Sequence, residues 1–282
     1  MSTPKPLVLE TIAAMREARA WMSGSVGFVP TMGYLHEGHI TLARRSRLET
    51  DHTVVSIFVN PTQFGPQEDF QKYPRNPERD LAMLEAEGVE AVFMPGVSEI
   101  YPPDFDTYVE PGRIAQWLEG ASRPGHFRGV ATVVLKLFNI VQPDRAYFGQ
   151  KDAQQVAVIK KMVRDLDLAL EVVAVPTVRE PDGLAMSSRN VYLGPAERQA
   201  ALCLSRALQS ARELRAGGEG RAEVLRQAMR SIIEAEPLAD LDYVSVADGQ
   251  TLEELDEVRP GALVSMAVRV GKTRLIDNLT LD

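Results

Sequence analysis

Residues 26–39 read VGFVPTMGYLHEGH, and this stretch decides the fold. Its apolar start, residues 26–29, has the length and composition of a buried β-strand. A glycine-containing turn and a helical pattern over residues 39–50 follow, so the stretch predicts strand, turn and helix. His36 and His39 lie three residues apart at the predicted helix start. Because a helix N-terminus has unpaired N–H groups and a positive dipole, the stretch predicts a site for an anionic ligand.

Apolar runs and helical patterns alternate through the first 175 residues. This order predicts a Rossmann-like α/β domain, a parallel sheet with helices on both faces. Beyond about residue 190 two helical patterns precede alternating strands, which predicts a smaller α+β domain. We place the two domains at residues 1–188 and 189–282, the second acting as a lid. The predicted elements are strands 26–29, 53–59, 91–94, 146–148 and 171–175, helices 39–50, 77–87, 129–141 and 152–166, and, in the second domain, helices 195–216 and 219–235 with strands 241–246 and 263–270.

Four polar segments follow directly on predicted strands. Ligands of parallel α/β sheets bind outside the carboxyl ends of the strands, where the strand order reverses. We therefore expect these segments to lie along one edge of one sheet. They are residues 30–39, 60–65, 149–155 and 176–190.

Composition excludes several classes of function. The 282 residues carry a net charge of −8, which disfavours a nucleic-acid partner, since such surfaces need clustered Lys and Arg. No apolar run approaches the roughly 20 residues that a membrane span needs, so no membrane partner is expected. Cys203 is the only cysteine, stands in an apolar helical context and has no histidine nearby, so we interpret it as a packing residue. A lone cysteine and no signal sequence predict a cytoplasmic protein.

The two histidines of the opening stretch allow three interpretations. A zinc site needs a third protein ligand, and neither His52 nor His126 nor any suitably spaced acidic residue provides one. A capped helix start with two solvated histidines is the simplest interpretation. The functional alternative is that both imidazoles donate hydrogen bonds to the phosphates of a nucleotide.

The other three polar segments are ambiguous one at a time. Gly149 permits close approach of the backbone to a ligand, Lys151 suits phosphate and Asp152 suits a ribose hydroxyl or magnesium, although an exposed Lys-Asp pair is usually a solvated turn. Residues 182–190 combine hydroxyls and an arginine on what looks like a mobile loop, either a phosphate site or an interdomain linker. The amides of Asn60, Gln63 and Gln155 suit a small hydroxylated carboxylic acid, or they satisfy turn backbone.

The joint order of these segments resembles the HIGH and KMSKS signatures of the adenylate-forming nucleotidyltransferase superfamily. The resemblance is closest to the pantothenate synthetase family. It covers most of residues 26–190 and is weaker beyond them. The blocks that carry it are FVPTMGxLHxGH at 28–39, SIFVNPxQF at 56–64, YPR at 73–75, GHFxGV at 125–130, FGxKDxQQ at 148–155 and SSRN at 187–190.

This resemblance implies a reaction. Members of the family condense pantoate with β-alanine, use ATP with Mg²⁺, and form a pantoyl adenylate before pantothenate, AMP and diphosphate are released. It also implies a homodimer. The broad superfamily pattern is not fully kept, because Glu37 replaces an apolar residue in the histidine motif and Ala185, Ser188 and Arg189 stand where lysines are usual. That departure fits the pantothenate synthetase family rather than a tRNA synthetase.

The resemblance further implies roles for individual residues. His39 is the expected proton donor, with His36, Lys151 and Arg189 acting beside it on the phosphates. Gln63, Gln155 and Asn60 are expected to bind substrate, and Asp80 is the candidate magnesium ligand. The residues expected to bind ATP are Met32, Gly33, His36, Gly38, His39, Gly149, Gln150, Lys151, Asp152, Val178, Met186, Ser187, Ser188 and Arg189.

Three other functions remain to be weighed. A nucleotidyltransferase that adenylylates a phosphate-bearing substrate would need extra Lys or Arg at the acceptor pocket, where this chain offers amides beside Phe58 and Phe64. A tRNA-charging enzyme would need an appended basic domain. A non-catalytic nucleotide-binding module would not need the amides.

Overall fold

The computed structural model describes residues 4–66, 68 and 70–282. Its strands form two sheets, one of six and one of three strands. The strands are β1 Leu7–Leu9, β2 Val26–Thr31, β3 His52–Ile57, β4 Ala91–Phe93, β5 Arg145–Gly149, β6 Glu171–Val175, β7 Ala239–Ala247, β8 Leu263–Val270 and β9 Thr273–Thr280.

Helices separate most of these strands. The α-helices are α1 Ile12–Trp21, α2 Glu37–Glu49, α3 Pro77–Ala86, α4 Val97–Ile100, α5 Glu119–Ser122, α6 His126–Val141, α7 Ala153–Asp165, α8 Pro195–Ala216 and α9 Ala222–Glu234. Short 3₁₀ helices cover Pro61–Gln63, Arg113–Ala115, Gln150–Asp152 and Ser188–Tyr192.

The larger sheet is parallel, with strand order β1-β4-β3-β2-β5-β6. The chain builds outward from β2 through β3 and β4, then returns to the other side of β2 to add β5 and β6. The strand order therefore reverses between β2 and β5, which is where ligands of such sheets bind. The segments that follow these two strands carry His36 and Lys151, so the fold brings them to the same edge.

Both faces of this sheet are buried at its central strands β2 and β3, as the apolar β2 sequence requires. Neighbouring residues of a strand point to opposite faces, and Phe28 and Val29 accordingly belong to different apolar clusters. Phe28 packs with residues of α6 and α7, and Val29 packs with residues of α2 and α3.

The smaller sheet is antiparallel, in the order β7-β8-β9, and α8 and α9 supply most of the residues packed with it in a separate cluster. The predicted fold class is thus confirmed. The boundary between 188 and 189 stays a prediction, and Leu184 packs in the cluster of the smaller sheet. Cys203 is fully buried in α8, and burial raises the pKa of its thiol to about 11, as a packing residue requires.

Two strands, β1 and β9, have no counterpart in the sequence-based expectations. β1 has only three residues, too few for a periodic signal. β9 reads TRLIDNLT, and its arginine, aspartate and asparagine obscure the strand pattern. The polar residues of β9 are central to the functional site described below.

Candidate active site

His36 and His39 cap the start of α2 with their own side chains. Nδ1 of His36 accepts a hydrogen bond from the Gly38 N–H at 3.1 Å, and Nδ1 of His39 accepts one from the His36 N–H at 3.3 Å. Because each Nδ1 is an acceptor, the proton of each neutral ring lies on Nε2. Gly38 is required here, since a Cβ at that position would lie 2.8 Å from the His36 ring.

Both histidine rings are neutral over the physiological pH range. Burial and the nearby Lys151 charge lower the pKa of His36 to about 4. Burial, followed by the influence of His36 and Lys151, lowers the pKa of His39 well below its usual value. The two rings, with centroids 4.1 Å apart, are therefore neutral Nε2–H donors rather than cations.

Asp80 holds the turn that precedes these histidines. Its two carboxylate oxygens accept hydrogen bonds from the N–H groups of Tyr34 and Leu35, at 2.7 and 2.8 Å, and its side chain is buried. The turn needs this support because Tyr34 has a positive φ of 51° and Gly33 one of 80°. This geometry favours a structural role for Asp80 over the predicted one as a magnesium ligand.

Asn60 and Gln63 form a connected amide pair. The Nδ2 group of Asn60 donates to Gln63 Oε1 at 3.0 Å and to the Gly129 carbonyl at 3.2 Å. Oδ1 of Asn60 accepts from the hydroxyls of Thr62 and Tyr101. Asn60 is 1% exposed and its bonds are in use, so the geometry favours orienting Gln63 over direct substrate contact.

The sequence did not predict a role for His126 at this site. Nδ1 of His126 lies 2.8 Å from the Gln63 carbonyl, and Arg123 donates toward its Nε2 at 3.1 Å. Arg123 also forms a two-point ion pair with Glu68, at 2.7 and 2.6 Å. Burial, followed by the Arg123 charge, lowers the pKa of His126 to about 4. This neutral ring fixes the Gln63 backbone. The sequence block GHFxGV at 125–130 contains His126, but the spacing of that block did not indicate what the histidine does.

Lys151 follows β5, whereas the two histidines follow β2, on the other side of the point where the strand order reverses. It lies in the 3₁₀ helix that follows β5, and its Nζ is 3.8 Å from the Asp152 carboxylate. Lys151 lines the same cavity as both imidazoles, and its charge contributes to the lowered pKa of each. The Lys151 carbonyl accepts a hydrogen bond from Asn278 of β9 at 2.7 Å, so the smaller sheet contributes to the site.

The segment 178–190 is extensively bonded, although its residues 182–190 were expected to form a mobile loop. Residues 179 and 185 pair as a short bridge, and Met186 N–H donates to the Val178 carbonyl. Arg198 of α8 forms ion pairs with Glu180 and Asp182. These contacts hold the two arms of the loop together and fix the loop to α8.

The end of this loop contacts the turn that precedes His36. The Ser188 hydroxyl donates to the Tyr34 carbonyl at 3.4 Å, and Ser187 Oγ caps the 3₁₀ helix by accepting from the Arg189 N–H at 3.2 Å. The Met-Ser-Ser-Arg segment therefore lies next to the turn that carries the histidines.

One cavity of about 230 Å³ brings most of the predicted site residues together. Gly33, Gln150 and Asp80 lie outside its lining. Several residues at its edge, Gln63 and Lys151 among them, also line a wider cleft of about 1,640 Å³ that reaches β9. The predicted residues that line the cavity are Met32, His36, Gly38, His39, Asn60, Gln63, Gly149, Lys151, Asp152, Gln155, Val178, Met186, Ser187, Ser188 and Arg189.

The described residues hold neither a side-chain cluster suited to a metal ion nor a helix suited to a membrane. Across residues 4–66, 68 and 70–282, no group of three or more His, Cys, Asp or Glu side chains is placed to hold a metal ion. Within the same residues, none of the helices combines the length and the apolar character that crossing a membrane requires.

A parallel sheet with a cavity at its switch point, lined by neutral imidazoles, a lysine and a Ser-Ser-Arg loop, defines a nucleotide-dependent α/β enzyme. Comparison with known proteins shows its family. The family model described as pantoate-beta-alanine ligase matches residues 7–280, and the chain belongs to that family.

Individual relatives agree over nearly the whole chain. The pantothenate synthetase of Roseiflexus castenholzii is 63% identical over 275 residues, covering 98% of this chain and 99% of the relative. The crystal structure of pantothenate synthetase from Thermus thermophilus superposes with a TM-score of 0.93 at 50% identity, covering 97% of this chain and 99% of that one.

A third relative was solved with ligands. The pantoate-beta-alanine ligase of Francisella tularensis, complexed with beta-gamma ATP and beta-alanine, superposes with a TM-score of 0.81 at 36% identity, covering 98% of this chain and 97% of that one. The family expected from the sequence motifs is confirmed by these comparisons, and so is the identification of the protein as an enzyme.

Proposed function

We propose that the protein joins pantoate to β-alanine at the expense of ATP, through a pantoyl adenylate. The observation that carries the proposal is the single cavity in which two imidazole donors, Lys151 and the amides of Gln63 and Gln155 meet. Phosphate donors and amide groups side by side suit a nucleotide next to a small hydroxy acid. The relative solved with an ATP compound and β-alanine supports the same assignment.

In the first step, an oxygen of the pantoate carboxylate attacks the α-phosphorus of ATP, and the bond to the bridging oxygen of diphosphate breaks. Pantoate is already ionised near pH 7, so this step needs no base. His36 and His39 donate Nε2–H hydrogen bonds to phosphate oxygens, and Lys151 neutralises the negative charge that builds on the leaving group. Since the pKa of His39 is far below 7, we propose that it donates a hydrogen bond and keeps its proton.

In the second step, the amine of β-alanine attacks the acyl carbon of the adenylate, and AMP leaves with the electron pair of the broken C–O bond. The amine attacks in its neutral form, and the one proton that its nitrogen releases as the amide forms passes to solvent water. Gln63, fixed by Asn60 and His126, orients the pantoyl group for the attack.

ATP would occupy the part of the cavity between the α2 start and the Lys151 turn, with Met186 to Arg189 over the triphosphate and Val178 near the base. The cavity alone, at about 230 Å³, is below the usual 300–1,000 Å³ of ligand sites, so we propose that the bound substrates extend into the adjoining cleft. Mg²⁺ would enter with ATP, held by phosphate oxygens and water, and would supply further charge neutralisation.

The test is ATP–diphosphate exchange. It should require pantoate and proceed without β-alanine, because the adenylate forms before the amine is used. Exchange in the absence of pantoate, or its absence with pantoate present, would reject this mechanism. A phosphate-bearing acceptor in place of pantoate is the alternative, and it should give no exchange here because amides line the acceptor side of the cavity.

We also propose a homodimer, as the family resemblance implies. Trp21 and Leu48, which are 83% and 80% exposed, are apolar side chains that a second copy could cover. Light scattering should give twice the chain mass of 31.1 kDa; a mass of one chain would contradict the proposal.

A further inference from the structure

Two neighbouring residues of β9, Asp277 and Asn278, contact both loops that border the nucleotide end of the cavity. Their exposed fractions are 2% and 4%, so both polar side chains are buried. β9 is an edge strand of the smaller sheet, and its sequence carries no signal of a strand or of a site. Buried polar groups of this kind need specific partners. The side-chain partners here lie in the two loops and in β9 itself, whereas Oδ1 of Asn278 has no partner among the described residues.

Asn278 holds the Lys151 turn. Its Nδ2 donates to the Lys151 carbonyl oxygen at 2.7 Å. The orientation of this amide is determined, because a flipped side chain would place Oδ1 against another acceptor. Fixing the carbonyl of Lys151 fixes the backbone from which its ammonium group extends toward the histidines.

Asp277 holds the base of the 178–190 loop. Its carboxylate forms a two-point ion pair with the Arg179 guanidinium, at 2.7 and 2.9 Å. Arg179 also donates to the Gly183 carbonyl at 3.1 Å, and its backbone pairs with Ala185. The pair therefore fixes both arms of the loop that leads into Met186.

The two contacts are coupled through the strand itself. Neighbouring residues of a strand point to opposite faces, which is how one short stretch can contact two different loops. Asp277 Oδ1 also accepts from the Asn278 N–H at 2.8 Å, and Arg179 donates to the Asn278 carbonyl at 3.4 Å. A shift of either loop would thus disturb the contact with the other.

We propose that Asp277 and Asn278 are positioning residues that set the separation between the Lys151 turn and the 178–190 loop, and so the shape of the ATP site. The proposal rests on the assignment of that site to ATP. Apolar packing could hold the smaller sheet against these loops, but only directional bonds fix where the loops lie. Neither residue lines the 230 Å³ cavity, so both act through other groups.

The direct test is ATP binding by titration calorimetry in the absence of pantoate. Asn278→Asp keeps the shape of the side chain but replaces the donor with an oxygen that repels the Lys151 carbonyl. Asp277→Asn removes the charge that pairs with Arg179. We expect each variant to raise the Kd for ATP at least fivefold, while the KM for β-alanine at saturating ATP stays within twofold of wild type.

Two further variants keep the test decisive. Arg179→Lys retains the charge but not the fork that binds both carboxylate oxygens, and it changes a partly exposed side chain, so it tests the Asp277 contact even if Asp277→Asn fails to fold. Ile233→Val, in the buried core of the same domain, is the control for lost stability; it should lower Tm with an unchanged Kd for ATP.

Wild-type ATP affinity in folded Asn278→Asp and Arg179→Lys would overturn the proposal. So would an equal loss of affinity for ATP and β-alanine, or a weakening of ATP binding by Ile233→Val to the same extent, since both indicate general destabilisation. If wild type binds ATP but shows no pantoate-dependent exchange, the proposed reaction fails, while the calorimetric comparison still decides the role of Asp277 and Asn278.

Discussion

The two walls of the cavity are built in different ways. The start of α2 is held by bonds between residues two or three positions apart, such as those of His36 with Gly38 and with His39. The opposite wall, the Lys151 turn and the 178–190 loop, is held by contacts between residues 127 and 98 positions apart in the sequence. The structure of the first wall can be inferred from a sequence motif, because its bonds are local. The structure of the opposite wall cannot, because it depends on how the smaller sheet packs against it.

The largest effect is expected for Lys151, in the wall that the Lys151 turn and the 178–190 loop form. Its side chain brings a positive charge into the site from a turn that the smaller sheet holds in place. Lys151→Ala should reduce the turnover of ATP–diphosphate exchange by roughly 100-fold or more, the usual loss when one preorganised group that stabilises the transition state is removed. Lys160→Ala, on the exposed side of the following helix α7, should be unaffected. A loss of less than threefold in Lys151→Ala would remove Lys151 from the phosphate site.

A variant of Asp80 shows how far the wall at the start of α2 depends on a residue that is distant in sequence. Asp80→Ala leaves the N–H groups of Tyr34 and Leu35 without an acceptor, which costs about 1–3 kcal/mol for each buried group. We expect a lower free energy of unfolding, measured in urea, and an unchanged Mg²⁺ concentration for half-maximal activity. A stable variant that needs much more Mg²⁺ would restore Asp80 as a magnesium ligand.

The sequence predicted what depends on local order. Strand, turn and helix follow from residues 26–39, and the parallel sheet then places His36 and Lys151 at one edge by topology alone. The sequence could not predict that Asp80 is used by backbone N–H groups or that His126 fixes Gln63. Those facts depend on contacts between residues 46 and 63 positions apart, which no pattern encodes.

The contribution of β9 could not be predicted for the same reason. Asp277 and Asn278 look like surface residues in sequence, because charged and amide side chains are usually exposed. Their burial follows only from the docking of the edge strand against two loops. Most of the site residues that resemblance supplied therefore line the cavity, and the structure adds the residues behind them.

His39 belongs to the wall at the start of α2, and a variant of it measures what that wall contributes to catalysis. His39→Ala should lower exchange turnover at least tenfold, about 1.4 kcal/mol of transition-state stabilisation, because the Nε2–H donor is lost. His52→Ala, at the opposite end of the large sheet, is the matched histidine control. Unchanged kinetics in a folded His39→Ala variant would exclude His39 from the catalytic set.

Gln63 lines the cavity but belongs to neither wall, so its substitution should show a smaller, more selective effect. Gln63→Ala removes one amide but leaves the phosphate groups in place, so the KM for pantoate should rise about three- to tenfold, the equivalent of a single hydrogen bond. The KM for ATP should change less than twofold. Gln250→Ala, on an exposed turn, serves as the control, and an equal rise in both KM values would argue against a pantoate contact.

The smallest expected effect concerns the pH dependence of stability. The pKa of His126 is about 4 in the folded protein, below the ordinary value of 6.5 that the unfolded chain approaches. Between these values the unfolded chain binds a proton that the folded ring refuses, so the free energy of unfolding falls as pH drops from 6.5 toward 4. His36 should act in the same direction.

In His126→Asn the fall in Tm between pH 7 and pH 5 should be smaller than in wild type by roughly 2–4 °C. Identical slopes would mean that His126 takes up its proton without unfolding, and then Arg123, rather than the neutral ring, would have to hold the Gln63 carbonyl at low pH.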